Sequence, residues 1–187
     1  NEYFPYPRPG LRKICKHFID LGVNAVVCHH PHVPGAYEVY KGSPIFYSIG
    51  NFIFDHSNPR EGWTEGYIVQ MSFNTISKKL EDFELIPYEQ SVTLGGIQLM
   101  EGNKKSDFLS RIESFRKKLV NEEEWFNEWS KFVEKHFPIG FRGLGFLARH
   151  LPLTRLLLPK SMLLPKLNLI RCQSHKELLQ AVLEKRR

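Results

Sequence analysis

Three histidines fall within four positions of this sequence, at His29, His30 and His32. Neutral imidazole is the side chain that proteins use most often to bind metal ions. The short apolar run before them, residues 23–28, predicts a strand, and Pro31 would end it. Side chains two positions apart in an extended loop end point the same way, so His30 and His32 could hold one metal ion. The alternative is a polar loop whose histidines are only solvated.

The elements around the histidines predict an α/β fold. Apolar residues at helical spacing predict a helix that packs one face on a core: Leu11, Ile14, Cys15, Phe18 and Ile19. Pro9 suits the start of this helix and Gly22 the position just after its end. A helix followed by a short apolar strand is typical of an α/β unit. The histidines then lie at the carboxyl end of a strand, where open α/β sheets bind their ligands.

Further strands are predicted at residues 37–40, 45–49, 66–73 and 80–88. The last two would form a hairpin whose turn lies at residues 74–79. Residues 92–103 are rich in turn formers and suggest a boundary. Beyond them the apolar residues recur with a helical period, which predicts a mostly helical remainder. We therefore expect two parts, residues 1–91 and residues 92–187.

Composition limits the classes of protein that the chain can represent. Of its 187 residues, 42% are hydrophobic and 25% are charged, values typical of a globular protein and not of a disordered one. Three widely spaced cysteines suggest neither a disulfide framework nor a zinc knuckle, and we expect Cys15 and Cys172 to be buried or idle thiols. No run of about 18 apolar residues is present, so we expect no transmembrane helix. The opening residues show no signal-peptide pattern.

Positive charge is concentrated towards the C-terminal end. Residues 138–187 contain ten Lys or Arg residues and two acidic residues, whereas the rest of the chain has 16 basic and 18 acidic residues. Six basic residues recur among Leu and Phe every five to seven positions: Arg142, Arg149, Arg155, Lys160, Lys166 and Arg171. The pattern predicts either an amphipathic segment on an anionic membrane surface or short helices that cap the core. It contains no nucleic-acid-binding motif, so no nucleic acid partner is expected.

Two segments at a fixed distance together resemble one protein family. Residues 22–33 read Gly-Val-Asn-Ala-Val-Val-Cys-His-His-Pro-His-Val, and residues 47–55 read Tyr-Ser-Ile-Gly-Asn-Phe-Ile-Phe-Asp. This combination resembles the CapA-like poly-γ-glutamate capsule biosynthesis proteins, which have a calcineurin-like metallophosphoesterase fold. The resemblance covers about residues 1–90, and residues beyond about 92 gain nothing from it.

The resemblance implies that residues 1–91 are the C-terminal half of a four-layer α/β sandwich with a two-metal centre for divalent ions. It implies that His30 and His32 are metal ligands and that His29 is a partner of the ligands or a transition-state donor. Glu2 and Asn51 are candidates for the substrate pocket, although Asn51 also suits a turn at a strand end. The implied activity is hydrolysis by metal-activated water.

The sequence also departs from the family pattern. A two-metal phosphoesterase centre needs an Asp-x-His, a bridging Asp and an Asn-His pair earlier in the chain, and none of the four Asp residues stands in an Asp-x-His. Position 28, usually Gly in the family, is Cys28. Two imidazoles leave coordination positions to water. We therefore expect these residues alone to be inactive and to bind metal with millimolar dissociation constants or weaker.

Two functions from different classes follow from the resemblance. The first is a metal-dependent phosphoesterase-type hydrolase, active in the full-length protein, that helps to make or export an anionic polymer at the bacterial cell envelope. The second is a non-catalytic scaffold or binding subunit that has kept the fold, since fold does not determine function. Both imply other polymer-synthesis or export subunits as partners, and an anionic membrane surface for the basic segment. A third interpretation, a zinc-binding module built on the histidines alone, predicts zinc in the purified protein.

Overall fold

The structure, a computed structural model, describes residues 2–54, 59–91, 95–141 and 172–184. In chain order its elements are α1 (Pro9–Asp20), β1 (Val26–Val27), β2 (Tyr37–Tyr40), β3 (Ser43–Phe46), β4 (Glu65–Phe73), β5 (Leu80–Ser91), β6 (Gly96–Leu99), α2 (Gly102–Val120), α3 (Glu122–Phe141) and α4 (Gln173–Glu184). This mixture of helices with two small sheets confirms the predicted α/β class. The chain divides into two compact units, Asn1–Trp125 and Phe126–Arg187. The four-layer sandwich and the division at residue 91 stay predictions.

The first sheet positions the histidines. Its strand order is β1–β3–β2, with β1 parallel and β2 antiparallel to β3. The backbone amide of Cys28 donates to the carbonyl oxygen of Phe46 at 2.8 Å and so continues the pairing one residue beyond β1. The histidines therefore leave the sheet at the carboxyl end of β1, the place that the sequence predicts.

The second sheet contains the predicted hairpin. Strands β4, β5 and β6 pair antiparallel in that order. In the turn between β4 and β5, the side-chain oxygen of Asn74 accepts hydrogen bonds from the amides of Ile76 and Ser77 at 2.9 and 2.8 Å. This local bonding is the reason why Asn favours turns. The amide of Tyr67 donates to the carbonyl oxygen of Ile49 at 3.0 Å, which ties the second sheet to the segment after β3.

Residues from β3, β4 and α2 meet in the core of the first unit. The buried members of this cluster are Phe46, Tyr67, Met100, Phe108 and Ile112. Burying a large apolar side chain contributes about 1.5–3 kcal/mol, so this cluster supplies much of the free energy that holds α2 against the sheets. The hydroxyl of Tyr67 donates to the carbonyl oxygen of Gly35 at 3.2 Å, so its polar atom is satisfied within the core.

A buried ion pair joins α1 to β2. Arg12 and Glu38 are 5% and 4% exposed, and two nitrogens of the guanidinium donate to the two carboxylate oxygens, each at 2.9 Å. Tyr47 adds a hydrogen bond to the same carboxylate at 2.6 Å. Burial by itself raises the pKa of Glu38, but the hydrogen bonds from Arg12 and Tyr47 outweigh burial and hold that pKa below its usual range.

The face that α1 buries differs from the predicted one. Cys15 and Ile19 are buried as expected, but Ile14 and Phe18 are 47% and 46% exposed. Arg12 occupies part of the buried face instead. A guanidinium can lie there because Glu38 neutralises it, and a partner so distant in sequence leaves no trace in the apolar periodicity.

Three strand predictions also need correction. β3 is Ser43–Phe46 instead of the predicted 45–49. β1 comprises two residues instead of the predicted 23–28, because only Val26 and Val27 lie in register with residues of β3. β6 lies within residues 92–103, which we expected to be turns. Its four residues pair with the end of β5, and a strand this short carries little periodicity of its own.

The C-terminal part is helical where it is described, in α3 and α4. Before α3, the side-chain oxygen of Asn121 accepts from the amides of Glu123 and Glu124 at 3.2 and 3.3 Å, which is a helix cap. The six regularly spaced basic residues, Arg142, Arg149, Arg155, Lys160, Lys166 and Arg171, lie outside the described residues. Among the helices that are described, none is long and apolar enough to cross a membrane.

Candidate metal centre

The loop that carries the histidines, residues 29–34, is fixed to the first sheet at both ends. Before it, Cys28 pairs with the end of β3. After it, the hydroxyl of Ser48 donates to the carbonyl oxygen of Val33 at 2.7 Å. The amide of Gly35 donates to the carbonyl oxygen of Ser48 at 2.9 Å. These bonds hold the histidine loop at the end of β3.

The backbone of this loop adopts conformations that are rare for residues other than glycine. His30 has a φ angle of +102° and His32 one of +64°. Such conformations cost about 1–3 kcal/mol each, and they persist only where the surrounding structure enforces them. Between them Pro31 is buried, and its carbonyl oxygen accepts a hydrogen bond from the amide of Tyr3 at 2.8 Å. Strain of this kind concentrates at functional sites, which supports a functional role for the loop.

His30 and His32 lie side by side. The centroids of their rings are 5.9 Å apart and the ring planes are tilted by 51°. Because metal–nitrogen bonds of imidazole are about 2.0–2.1 Å long, two rings at this separation fit around one ion. His30 is exposed and His32 is half-buried, so the pair lies at the surface of the first unit.

A buried amide sets the orientation of the His32 ring. The side-chain nitrogen of Asn51, a residue 7% exposed, donates to the carbonyl oxygens of His32 and Trp63, both at 3.1 Å. These two acceptors distinguish the nitrogen from the oxygen of the amide. The oxygen then faces Nδ1 of His32 at 3.0 Å. Because an amide oxygen only accepts, Nδ1 carries the hydrogen and Nε2 of the neutral ring keeps its lone pair. Metal-binding histidines have this arrangement.

Asn51 is itself held in place from β5. Burial raises the pKa of Tyr88 to about 12, so its hydroxyl stays protonated at neutral pH, and it donates to the carbonyl oxygen of Asn51 at 3.0 Å. The side-chain amide of Gln90 donates to the same oxygen at 3.4 Å and to the carbonyl oxygen of Trp63 at 3.2 Å. The second sheet therefore supports the residue that orients His32.

An aromatic wall packs against His32. The indole of Trp63 stacks on the imidazole with centroids 5.0 Å apart, and Phe54 meets it edge-on at 5.4 Å. The indole N–H donates to the carbonyl oxygen of Phe54 at 2.9 Å. Tyr3 stacks on Trp63 at 5.9 Å, and the guanidinium of Arg60 lies 4.0 Å from the centre of the Tyr3 ring. This packing restricts rotation of the His32 ring.

The remaining predicted site residues have other surroundings. His29 is exposed and lines a cavity of about 270 Å³ whose other walls are mainly apolar, with Phe52, Ile68 and Met71 among them. Glu2 is exposed and precedes Tyr3, whose backbone is bonded to the loop. The structure thus brings His30, His32 and Asn51 together and places His29 on the wall of an apolar cavity.

Sequence reasoning did not identify the wall and its supports, namely Trp63, Tyr88 and Gln90. Trp63 lies between the predicted strands 45–49 and 66–73, yet it is only 4% exposed. A large aromatic side chain in a polar loop is a signal for such a role, although it does not indicate which side chain the ring would cover. Tyr88 and Gln90 carry no comparable signal, because they lie in an ordinary strand.

The donor set is suited to part of a metal centre. Two imidazoles at 5.9 Å provide neutral nitrogen ligands, and the ring of His32 is held with Nε2 available. Among the described residues, no group of three or more His, Cys, Asp or Glu side chains could hold an ion. The thiol of Cys28, a possible zinc ligand, lies 3.7 Å from the thiol of Cys15. Among the described residues, the candidate site therefore offers two imidazoles as possible metal ligands.

Comparison with known proteins connects this region to capsule synthesis. Residues 1–56 match the sequence model of the family described as "Bacterial capsule synthesis protein PGA_cap". Over 64 residues, 34% of this chain, the sequence is 44% identical to "Capsule biosynthesis protein CapA" of Bacillus anthracis and to "PGA biosynthesis protein CapA" of Bacillus subtilis (strain 168). Over 49 residues, 26% of this chain, it is 48% identical to "Uncharacterized protein y4sH" of Sinorhizobium fredii, 11% of whose length is aligned.

The aligned segments cover 14% and 16% of the two CapA proteins, so the chain spans only a small part of the length of the curated relatives it matches. The family match at residues 1–56 nevertheless contains all five candidate site residues, namely Glu2, His29, His30, His32 and Asn51. On this evidence, residues 1–56 are similar to the CapA-like family of capsule biosynthesis proteins.

Proposed function

We propose that His30 and His32 form part of a divalent metal centre in a hydrolase of phosphoesterase type that acts in capsule or poly-γ-glutamate biosynthesis. The observation that carries this proposal is the bond between Asn51 and Nδ1 of His32, which leaves Nε2 as the ring nitrogen with a lone pair. A histidine that is merely solvated needs no buried amide to fix its tautomer. The position at the carboxyl end of a parallel strand adds support, because α/β sheets bind ligands there.

The described residues would divide the work of such a centre. A bound divalent ion supplies Lewis acidity and a water of lowered pKa. His30 and His32 hold the ion, and Asn51 and Trp63 keep the His32 ring in one orientation. His29, which is exposed and directly precedes His30, would donate a hydrogen bond to an oxygen of the substrate.

A second candidate function is a non-catalytic subunit of a polymer-synthesis or export complex. The observation that favours it is the donor set itself, because the described residues form no group of three or more His, Cys, Asp or Glu side chains that could hold an ion. A carboxylate commonly bridges the ions of a two-metal hydrolase, so its supply from elsewhere in the full-length protein decides between the candidates. Both candidates place the protein at the cell envelope, with polymer-synthesis or export subunits as partners, and neither involves nucleic acid.

The decisive experiment uses the full-length protein and three variants: His30→Ala, His32→Ala and, as a matched control, His17→Ala. His17 lies exposed on α1, away from the histidine loop in sequence. Metal content after purification and hydrolysis of a chromogenic phosphodiester are measured for each protein. A hydrolase loses bound metal and at least about tenfold in turnover in the first two variants and neither in the control, as expected for loss of a metal ligand.

Two outcomes would contradict the hydrolase. Equal metal content in wild type and both loop variants would show that His30 and His32 do not bind the metal. Loss of metal with polymer production unchanged in cells would favour the non-catalytic subunit, since the ion would then have no catalytic role.

A further inference from the structure

Two of the three cysteines lie in contact although they are distant in the sequence. Cys15 is on α1, and Cys28 is the residue that directly follows β1. Their Sγ atoms are 3.7 Å apart. Both are free thiols, and the third cysteine, Cys172, belongs to the other unit of the chain.

The two thiols differ in exposure, and this difference determines which of them reacts first. Cys15 is 2% exposed, whereas Cys28 is partly exposed at the end of its strand. An external reagent therefore reaches Cys28 first. The sulfur of Cys15 is then in contact with that of Cys28, in position to displace whatever Cys28 has gained. A disulfide requires an S–S distance of about 2.05 Å, so the sulfurs must approach by roughly a further 1.7 Å.

We propose that Cys15 and Cys28 form a redox-active dithiol that closes to a disulfide by exchange with a small-molecule disulfide. The sulfur of Cys28, as thiolate, attacks the external disulfide, and one external thiol leaves with the proton that Cys28 gave up. The sulfur of Cys15, as thiolate, then attacks the sulfur of Cys28, and the second external thiol leaves with the proton that Cys15 gave up. Two protein thiols are oxidised and one external disulfide is reduced to two thiols.

The disulfide would act on the histidine loop through its position. Cys28 precedes His29, and its amide is bonded to Phe46 in β3. A covalent bond to Cys15 would attach the start of the loop to α1 as well. The cross-link would also restrict the unfolded chain, which stabilises the folded form. This proposal stands on the cysteines alone and does not depend on the proposed hydrolase.

Mass spectrometry after oxidation tests the pair. The protein is incubated with mixtures of oxidised and reduced glutathione, blocked with an alkylating agent and digested with trypsin. A disulfide would link the peptide of residues 14–16 to that of residues 17–41, since Lys13, Lys16 and Lys41 are cleavage sites. We expect this linked pair as the main product and a rise in Tm of about 5–10 °C.

Single variants separate the two steps. Cys15→Ser should stop at a glutathione adduct on Cys28, and Cys28→Ser should give neither the adduct nor the linked peptides. Cys172→Ser should behave as wild type. A stable glutathione adduct on Cys28 in the wild-type protein, or no linked peptides in any glutathione mixture, would overturn the proposal. Linkage of Cys172 to either residue as the main product would also overturn it.

Discussion

The side-chain oxygen of Asn51 lies 3.0 Å from Nδ1 of His32, and this contact joins residues 19 positions apart. The amide nitrogen is committed to two backbone carbonyls, one of them that of His32 itself. Asn51 therefore fixes both the backbone and the ring of the same histidine. A side chain bonded in this way presents one nitrogen in one direction, which is what a metal ligand requires.

The tautomer of His32 can be measured directly in this chain. Nuclear magnetic resonance of the ring nitrogens at alkaline pH should show the hydrogen on Nδ1 of His32. In Asn51→Leu that preference should disappear, because the acceptor is gone. The free energy of unfolding should also fall by about 1–3 kcal/mol, since the carbonyl oxygens of His32 and Trp63 lose a buried donor.

Gln90→Leu is the matched control. Gln90 donates to the carbonyl oxygens of Asn51 and Trp63 but makes no bond to the His32 ring among its described contacts. Its loss should lower stability while the hydrogen stays on Nδ1. Finding the hydrogen on Nε2 in the wild-type protein would contradict the orientation derived for Asn51.

Local elements were predictable from the sequence, whereas the partners that meet across them were not. The periodicity and the end signals of α1, and the alternation and turn of the β4–β5 hairpin, are properties of neighbouring residues. The position of the histidines at the end of β1 followed from the same local pattern. The sequence makes Asn51 a candidate for the pocket, but it favours the role of an ordinary turn residue at a strand end. Its partner is set by the pairing of the segments after β1 and β3.

The buried pair of Arg12 and Glu38 illustrates the same limit. Neither residue suggests burial by itself, because each carries a charge that would be costly to bury alone. Burial is possible only because Arg12 on α1 pairs with Glu38 on β2, 26 positions away in the sequence. A pattern based on apolar residues therefore assigned the wrong residues to the buried face of α1.

Removing one partner of this pair should be strongly destabilising. Glu38→Gln leaves the buried guanidinium of Arg12 with the exposed carboxylate of Glu122, 2.8 Å away, as its described partner. We therefore expect a loss of about 3 kcal/mol, the lower end of the range for breaking a buried ion pair. Asp20→Asn is the control, because it breaks an exposed ion pair with Lys41 and should leave stability almost unchanged. Urea unfolding at pH 7 measures both. Equal effects of the two variants would show that the buried pair contributes no more than a surface pair.

The same carboxylate should make stability depend on acid pH. The pKa of Glu38 is lowered in the folded protein, so the folded state binds fewer protons than the unfolded state. The contribution of Glu38 to the free energy of unfolding is complete above the pKa of this carboxyl in the unfolded chain, about 4.3. It is lost as the pH falls through the lower pKa of the folded protein. The difference in unfolding free energy between wild type and Glu38→Gln should therefore become smaller as the pH is lowered from about 6 towards 2. A difference that stays constant would contradict this linkage.

The hydroxyl of Tyr47 should strengthen that dependence. It donates to Glu38 at 2.6 Å, and burial together with this carboxylate raises the pKa of Tyr47, so the hydroxyl stays protonated and able to donate near neutral pH. Tyr47→Phe removes one of the bonds that lower the pKa of Glu38. We expect a loss of about 1.5–3 kcal/mol at pH 7. Acid unfolding should begin at a higher pH than in wild type, and onset at a lower pH would contradict the assigned direction.

Gly50 should tolerate no side chain, because it lies where the segment after β3 meets β4. It has a φ angle of +83°, and a Cβ atom there would overlap the carbonyl oxygen of Glu65 and lie 2.9 Å from the Cα of Gly66. Gly22 is the matched control, since its φ angle is +96° but its Cβ position is open. Gly22→Ala should cost about 1 kcal/mol, the penalty of the backbone conformation alone. Gly50→Ala should cost clearly more, because backbone atoms must move, and it should displace the adjacent Asn51 from His32. Thermal unfolding and the His32 tautomer measure the two effects, and equal losses of stability in both variants would show that the backbone contact is not restrictive.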